Sequence, residues 1–169
     1  MKRTAAALGS ALFFLVAPCV VAGVVPWLLT RWQFGPPWPA SALIAVIGVL
    51  IMVGGAAVLG DAFVRFAMEG RGTPAPVAPT EELVITGPYR WVRNPMYLAV
   101  LAVIVGQALV LRQVSLLIYG AVVASAFFTF VKLYEERVLS ERYGEAYRRY
   151  QAGVPGWIPR PRRWQVKRR

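Results

Sequence analysis

An all-α, polytopic membrane protein with four transmembrane helices and a C-terminal amphipathic helix along the interface is the architecture this sequence predicts. Three observations lead there. Hydrophobic residues make up 57% of the chain, with a mean hydropathy of +0.52, and they come in blocks of membrane length. Basic residues collect in alternate connections between those blocks. Near the end, apolar residues recur at helical spacing among arginines. At 169 residues the chain has the length of one domain.

The first span covers about residues 5–29. No charge falls between Arg3 and Arg31, and the run is longer than a signal peptide's apolar region, so a retained helix is expected, kinked at Pro18. Trp32 to Pro39, rich in proline, turns the chain, with tryptophans suited to the headgroup zone. The second span covers about 40–66, its helical pattern running on towards Met68, and Gly54-Gly55 invites close approach by another helix. Glu69 to Thr86 has no apolar period and favours turns and extended backbone. Within it, Leu83-Val84-Ile85 is a short bead expected to pack under the loop. The third span, 96–111, is about 24 Å long at 1.5 Å per residue, slightly short, so Arg112 is expected to snorkel. After a turn, the fourth span covers 115–134. Leu139, Tyr143, Tyr147 and Tyr150 then mark the interfacial helix, where Gly144 is expected to serve a close contact. A Val-Pro-Gly-Trp turn and a basic tail follow.

With both termini in the cytoplasm, seventeen Lys or Arg lie inside and only Arg31 and Arg112 outside, a strong positive-inside asymmetry. The net charge of +11 is thus accounted for by anionic lipid, and no nucleic-acid partner is expected. Localisation in a membrane, the bacterial inner membrane, follows. The absence of histidine excludes a Ser-His-Asp triad and His-ligated zinc or haem. Cys19 is the sole cysteine, so no intramolecular disulfide forms, and no metal set is expected. Phosphate-loop and dinucleotide fingerprints are missing.

Two polar knots stand at the ends of apolar runs. One is Thr-Gly-Pro-Tyr-Arg-Trp-Val-Arg-Asn-Pro over 86–95; the other is Glu135-Glu136. Polar groups are costly at such borders, and a hairpin of the third and fourth spans returns both to one membrane surface. Together they suit a ligand with both charge signs and an aromatic ring. Each also has a structural reading: Asn94 as N-cap with Pro95 at N1, Trp91 and Trp157 as interface anchors, and the glutamates as partners of local arginines.

At these residues the sequence resembles the isoprenylcysteine carboxyl methyltransferases and their relatives, the phospholipid N-methyltransferases. The matching pieces are Gly70-x-Gly72-Thr73-Pro74-Ala75-Pro76, Gly87-Pro88-Tyr89-Arg90-x-Val92-Arg93-Asn94-Pro95-Met96-Tyr97-Leu98, Tyr134-Glu135-Glu136, Tyr143-Gly144-x-x-Tyr147-x-x-Tyr150 and Val154-Pro155-x-Trp157-Ile158-Pro159-Arg160. They span about residues 70–160, the expected catalytic part of a single domain covering 1–169. The resemblance implies S-adenosylmethionine as methyl donor, with Gly87, Tyr89, Arg93, Asn94, Pro95, Tyr97, Glu135 and Glu136 holding it at the cytoplasmic face. It also implies a lipophilic acceptor, a prenylcysteine-type carboxylate or a phospholipid amine, arriving from the bilayer. Asn94 stands where eukaryotic members often have histidine, Ala99 replaces a frequent glycine, and Arg137 a frequent proline. Val131 and Lys132 stand where the eukaryotic carboxyl methyltransferases carry an arginine about one turn before the second glutamate, a departure that weighs against a prenylcysteine substrate. Within that reading Lys132 or Arg93 seats a carboxylate acceptor and Glu136 takes the proton of an amine. Two alternatives stay open: an NADPH-dependent membrane reductase of related C-terminal architecture, and a non-catalytic membrane adaptor.

Overall fold

The computed structural model describes residues 16–69, 83–162 and 164. The start of the first span, the 70–82 segment with its Gly-x-Gly-Thr-Pro piece, and most of the basic tail lie outside those residues. Among the described residues the fold is all helical. We number the helices α1 (Val16–Thr30), α2 (Ser41–Glu69), α3 (Pro95–Leu111), α4 (Val114–Tyr143) and α5 (Glu145–Gly153). A 3₁₀ turn, Gly87–Arg90, precedes α3.

Among the described residues two helices are long and apolar enough to cross a membrane, Ser41–Arg65 within α2 and Val114–Tyr143, whereas α3 and the described part of α1 are shorter apolar stretches. Four spans were expected; length and composition single out two. Only 11% of the α2 window and 22% of the α4 window is buried. Leu43, Val46, Leu50 and Val53 stand exposed along α2, which a soluble protein's core helix would not tolerate.

Helix α3 is the centre of the bundle, touching α1, α2 and α4. Small residues let α2 come close. A Cβ on Gly55 would stand 2.9 Å from both the Ala102 Cβ and the Ala99 carbonyl, and one on Gly48 would stand 2.9 Å from the Gly106 carbonyl. The two glycines of α2 are seven residues apart, as are Ala99 and Gly106, so one stripe on each helix makes the seam. Gly54 plays no part, since a Cβ there meets nothing within 4 Å.

Helix α1 does not run regularly. A π turn occupies Val20–Val24, and its Val25 amide donates to the Val20 carbonyl. That diverts the donor Val21 would otherwise receive, and Pro26, without an N–H, leaves the Ala22 carbonyl without its own. Polar side chains of the bundle take over both acceptors. The Tyr119 hydroxyl donates to Val21 at 2.9 Å and the Gln107 carboxamide to Ala22 at 2.6 Å. Pro26 and the π turn therefore account for both freed carbonyls; the carbonyl that Pro18 would free lies outside the described residues. In an apolar surrounding each freed carbonyl needs such a partner.

Further corrections concern the C-terminal part. Helix α4 does not stop at residue 134 but continues to Tyr143 through a π turn at Val131–Glu135. The expected continuous interfacial helix is instead divided at Gly144, whose φ of +52° and ψ of −122° suit glycine. Nothing lies within 4 Å of a Cβ built there, so backbone conformation, not a close contact, requires this glycine. The bead at Leu83–Ile85 packs as expected: Val84 joins Ala62 and Tyr89, and Leu83 and Ile85 meet Tyr147, Tyr150 and Val154.

The turn after α1 packs at the far end of the bundle. The Gly35 amide donates to the Leu111 carbonyl at 2.8 Å and the Gln113 carboxamide to the Gln33 carbonyl at 2.9 Å. Arg112 caps α3 in the left-handed conformation, and its guanidinium lies 5.2 Å above the Phe34 ring. The opposite end holds both polar knots.

Candidate active site

The Trp91–Asn94 corner is held by the C-terminal segment. The Arg93 amide donates to Pro155 at 2.9 Å and the Asn94 amide to Gly156 at 3.3 Å, while the Arg160 amide donates to Trp91 and the Trp164 amide to Arg90, both at 2.9 Å. Asn94 occupies the N-cap position of α3 without a side-chain capping bond, and Pro95 stands at the helix start. The Asn94 carboxamide donates to the Gly156 carbonyl at 3.1 Å instead. Asn94 is therefore a tie to the C-terminal segment rather than a cap.

Arg93 points from this corner to α4. Its Nη1 lies 3.0 Å from Glu136 Oε1 and 3.2 Å from the Tyr147 hydroxyl. The Arg93 and Glu136 side chains are only 10% and 14% exposed, so this pair is largely shielded from water and its loss would be costly. Lys132, one turn earlier, reaches the other oxygen of Glu136 at 3.1 Å. Glu136 is thus gripped by two cations.

Glu135 meets a different partner. The Tyr97 hydroxyl, one turn into α3, donates to its Oε2 at 2.8 Å. Both acids face α3 because they follow one another through the π turn, which widens the helix and narrows the angle between neighbours. Aromatic rings close this side. Tyr97 lies 4.7 Å from Phe127 and 6.3 Å from Trp157 between centroids, and Trp157 lies 5.8 Å from Phe128.

Of the residues expected at the site, the structure thus gathers Arg93, Tyr97, Lys132, Glu135 and Glu136, with Asn94 and Pro95 shaping the corner. Tyr89 sits deeper, its ring among Ala62 and Val84 and its carbonyl accepting from the Tyr150 hydroxyl at 2.7 Å. Burial pushes the Tyr89 phenol well above its ordinary range, with Tyr150 adding to the effect. Burial likewise raises Tyr147 and Tyr150, each opposed by the Arg93 guanidinium. These hydroxyls remain neutral across the physiological range. Gly87 is set apart: its φ is +51°, and a Cβ would strike the Arg65 guanidinium. It lines a groove between α2 and α3.

Sequence reasoning missed the carbonyls of Pro155 and Gly156 as partners of the corner, and it read Trp157 as an interface anchor. The recurrent Val-Pro-x-Trp piece was the available signal for both. It also missed Phe127, which carries no mark in a run of apolar residues.

Chemically, the cluster offers carboxylates and aromatic faces for a cation, and a guanidinium for an anion. Arg93 Nε is buried with no hydrogen-bond partner among the described residues, so donor capacity is left for a ligand carboxylate. Among the described residues no group of His, Cys, Asp and Glu has the makings of a metal site.

A family model described as phospholipid methyltransferase matches residues 42–146, from the start of α2 to just past the Gly144 break. No curated protein gives a significant match to the chain.

Proposed function

The chain belongs to the phospholipid methyltransferase family, and from that premise we propose that it transfers a methyl group from S-adenosylmethionine to a lipophilic acceptor at the cytoplasmic membrane face. The observation that carries this reading is the Arg93–Glu136 pair, shielded and set beside a second acid and an aromatic cluster. The whole chain acts as one domain, with about 70–160 as its catalytic part. All four apolar helices lie in the bilayer, the short α3 being completed by its neighbours, and both termini face the cytoplasm in agreement with the placement of basic residues.

The residues fit the donor by chemistry. Arg93 offers its Nε to a carboxylate as one arm of a fork, and Asn94 and Pro95 fix the corner from which it projects. Tyr97, Phe127 and Trp157 provide faces for a sulfonium or a flat base. When bound, S-adenosylmethionine supplies an electrophilic methyl group carried on sulfur. What the chain adds is alignment and exclusion of water, which together supply about 7–11 kcal/mol in favourable cases.

The two acids divide the remaining work. Glu136, held between Arg93 and Lys132, keeps those cations in place. Each of its oxygens is engaged by a cation, which leaves neither open to an incoming amine. Glu135 faces a neutral hydroxyl, so the proton lost by an amine acceptor goes to Glu135. A carboxylate acceptor loses no proton, and Lys132 would seat it. The partners implied are thus a lipid acceptor and the surrounding membrane lipids.

A screen of lipid extracts with radiolabelled donor tests the reading. Wild-type protein should label a lipid. Glu136→Gln should lose donor binding and turnover together, because Arg93 and Lys132 are released. Glu135→Gln should keep donor binding and lose amine methylation by about 10²–10⁴-fold. Normal turnover in both variants would remove the acids from the mechanism.

A further inference from the structure

The groove between α2 and α3 opens at the same end of the bundle as the Arg93 cluster but on the other face of α3. Leu98, Ala99 and Ala102 line it, whereas Tyr97 turns its hydroxyl to Glu135 on α4. Its volume is about 890 Å³, within the range of ligand sites. Gly54, Val58, Ala99 and Ala102 line its apolar part, while Asp61, Arg65 and Arg90 stand at the mouth.

Arg65 Nε donates to Asp61 at 2.9 Å, and among the described residues Arg90 has no carboxylate partner. Arg90 Nε is buried and has no hydrogen-bond partner among the described residues. A shielded guanidinium donor left unmade is costly, so the mouth favours an anion. Along α2, from Gly54 at the floor to Arg65 at the mouth, eleven residues give about 16 Å. A slot that is apolar along that length, cationic at one end and bordered by the exposed apolar face of α2 matches an amphiphile lying along the bilayer normal. A zwitterionic headgroup would bring its own cation beside Arg90, which among the described residues has no carboxylate partner.

We infer that this groove binds one acyl chain of an anionic phospholipid, its phosphate held by Arg90 with Arg65 beside it. The lipid sits across α3 from the two acids and is a second occupant, not the methyl acceptor. The inference rests on α2 and α3 lying in the bilayer and not on the methyl-transfer chemistry.

Native mass spectrometry of the full-length protein in neutral detergent tests it, with phosphatidylglycerol and phosphatidylcholine of matched chains as probes. Wild-type protein should retain phosphatidylglycerol about tenfold better, the scale of one charge-assisted hydrogen bond. Arg90→Gln should bring the two lipids level. Gly54→Leu fills the slot from a position where an added Cβ meets nothing within 4 Å, and should displace both lipids. Glu136→Gln should leave retention unchanged while it abolishes donor binding, which separates this site from the methyl-transfer site. Equal retention of the two lipids by wild-type protein would overturn the inference. So would undiminished phosphatidylglycerol binding in Gly54→Leu, or displacement of the lipid by millimolar inorganic phosphate.

Discussion

Tyr150 shows how single side chains hold the candidate site together. Its hydroxyl donates to the Tyr89 carbonyl, and its ring packs with Tyr147 and Trp164, so it ties α5 to the segment that carries Arg93. Tyr150→Phe keeps the ring and should cost about 1 kcal/mol at neutral pH. Burial raises its phenol above the ordinary value, against a lowering by Arg93. An unfolded tyrosine loses its proton near pH 10, the folded one only higher. Below about pH 10 its contribution to stability is therefore complete; above that the unfolded state binds fewer protons, and stability falls as pH rises. The melting temperature should drop between about pH 10 and 11, less steeply in Tyr150→Phe. An identical alkaline slope in the variant would show that Tyr150 is not among the groups responsible. At this scale the sequence was partly legible. Arg93, Glu135 and Glu136 stood out because charge beside an apolar run is conspicuous. The Asn94–Gly156 bond did not, because a backbone carbonyl 62 residues away leaves no trace in residue type.

Helices bring these side chains together through two devices, the glycine seam and the π turn. The seam was half legible: Gly54-Gly55 marked the place, but only the packing tells the two apart. Gly54→Ala should be neutral or stabilise by up to about 1 kcal/mol, since alanine is the better helix former. Gly55→Ala should destabilise by about 1–3 kcal/mol, because the methyl meets the Ala99 carbonyl and Ala102. Thermal unfolding in detergent distinguishes them, and equal shifts would deny the seam its role. The π turn at Val131–Glu135 was invisible, since no residue type encodes one extra residue in a turn. Its effect is what turns Glu135 to Tyr97 and Glu136 to Arg93. For the same reason the fourth span and the following segment could not be seen as one helix. The extra residue shifts the helical period without ending the helix, and the true break waits at Gly144, whose backbone suits glycine.

The molecule as a whole is a bundle around α3 with the candidate site at one end. That the chain is helical with apolar runs of membrane length was plain from hydropathy, whereas the number of spans was not, because α3 is shorter than a bilayer requires by itself. The hairpin of α3 and α4 predicts sidedness. With Cys19 replaced by serine, a cysteine at Gln113 should react with a membrane-impermeant thiol reagent from outside intact cells. A cysteine at Glu141, an exposed position near the end of α4, should react only in inside-out vesicles. Labelling of both from the same side would mean that the hairpin does not cross.

Donor binding by the detergent-purified full-length protein, followed by calorimetry, tests the central claim most directly. The Arg93 corner and the paired acids should bind S-adenosylmethionine at one site per chain, with NADPH giving no heat and Glu136→Gln abolishing the signal. Heat with NADPH and none with S-adenosylmethionine would contradict the account.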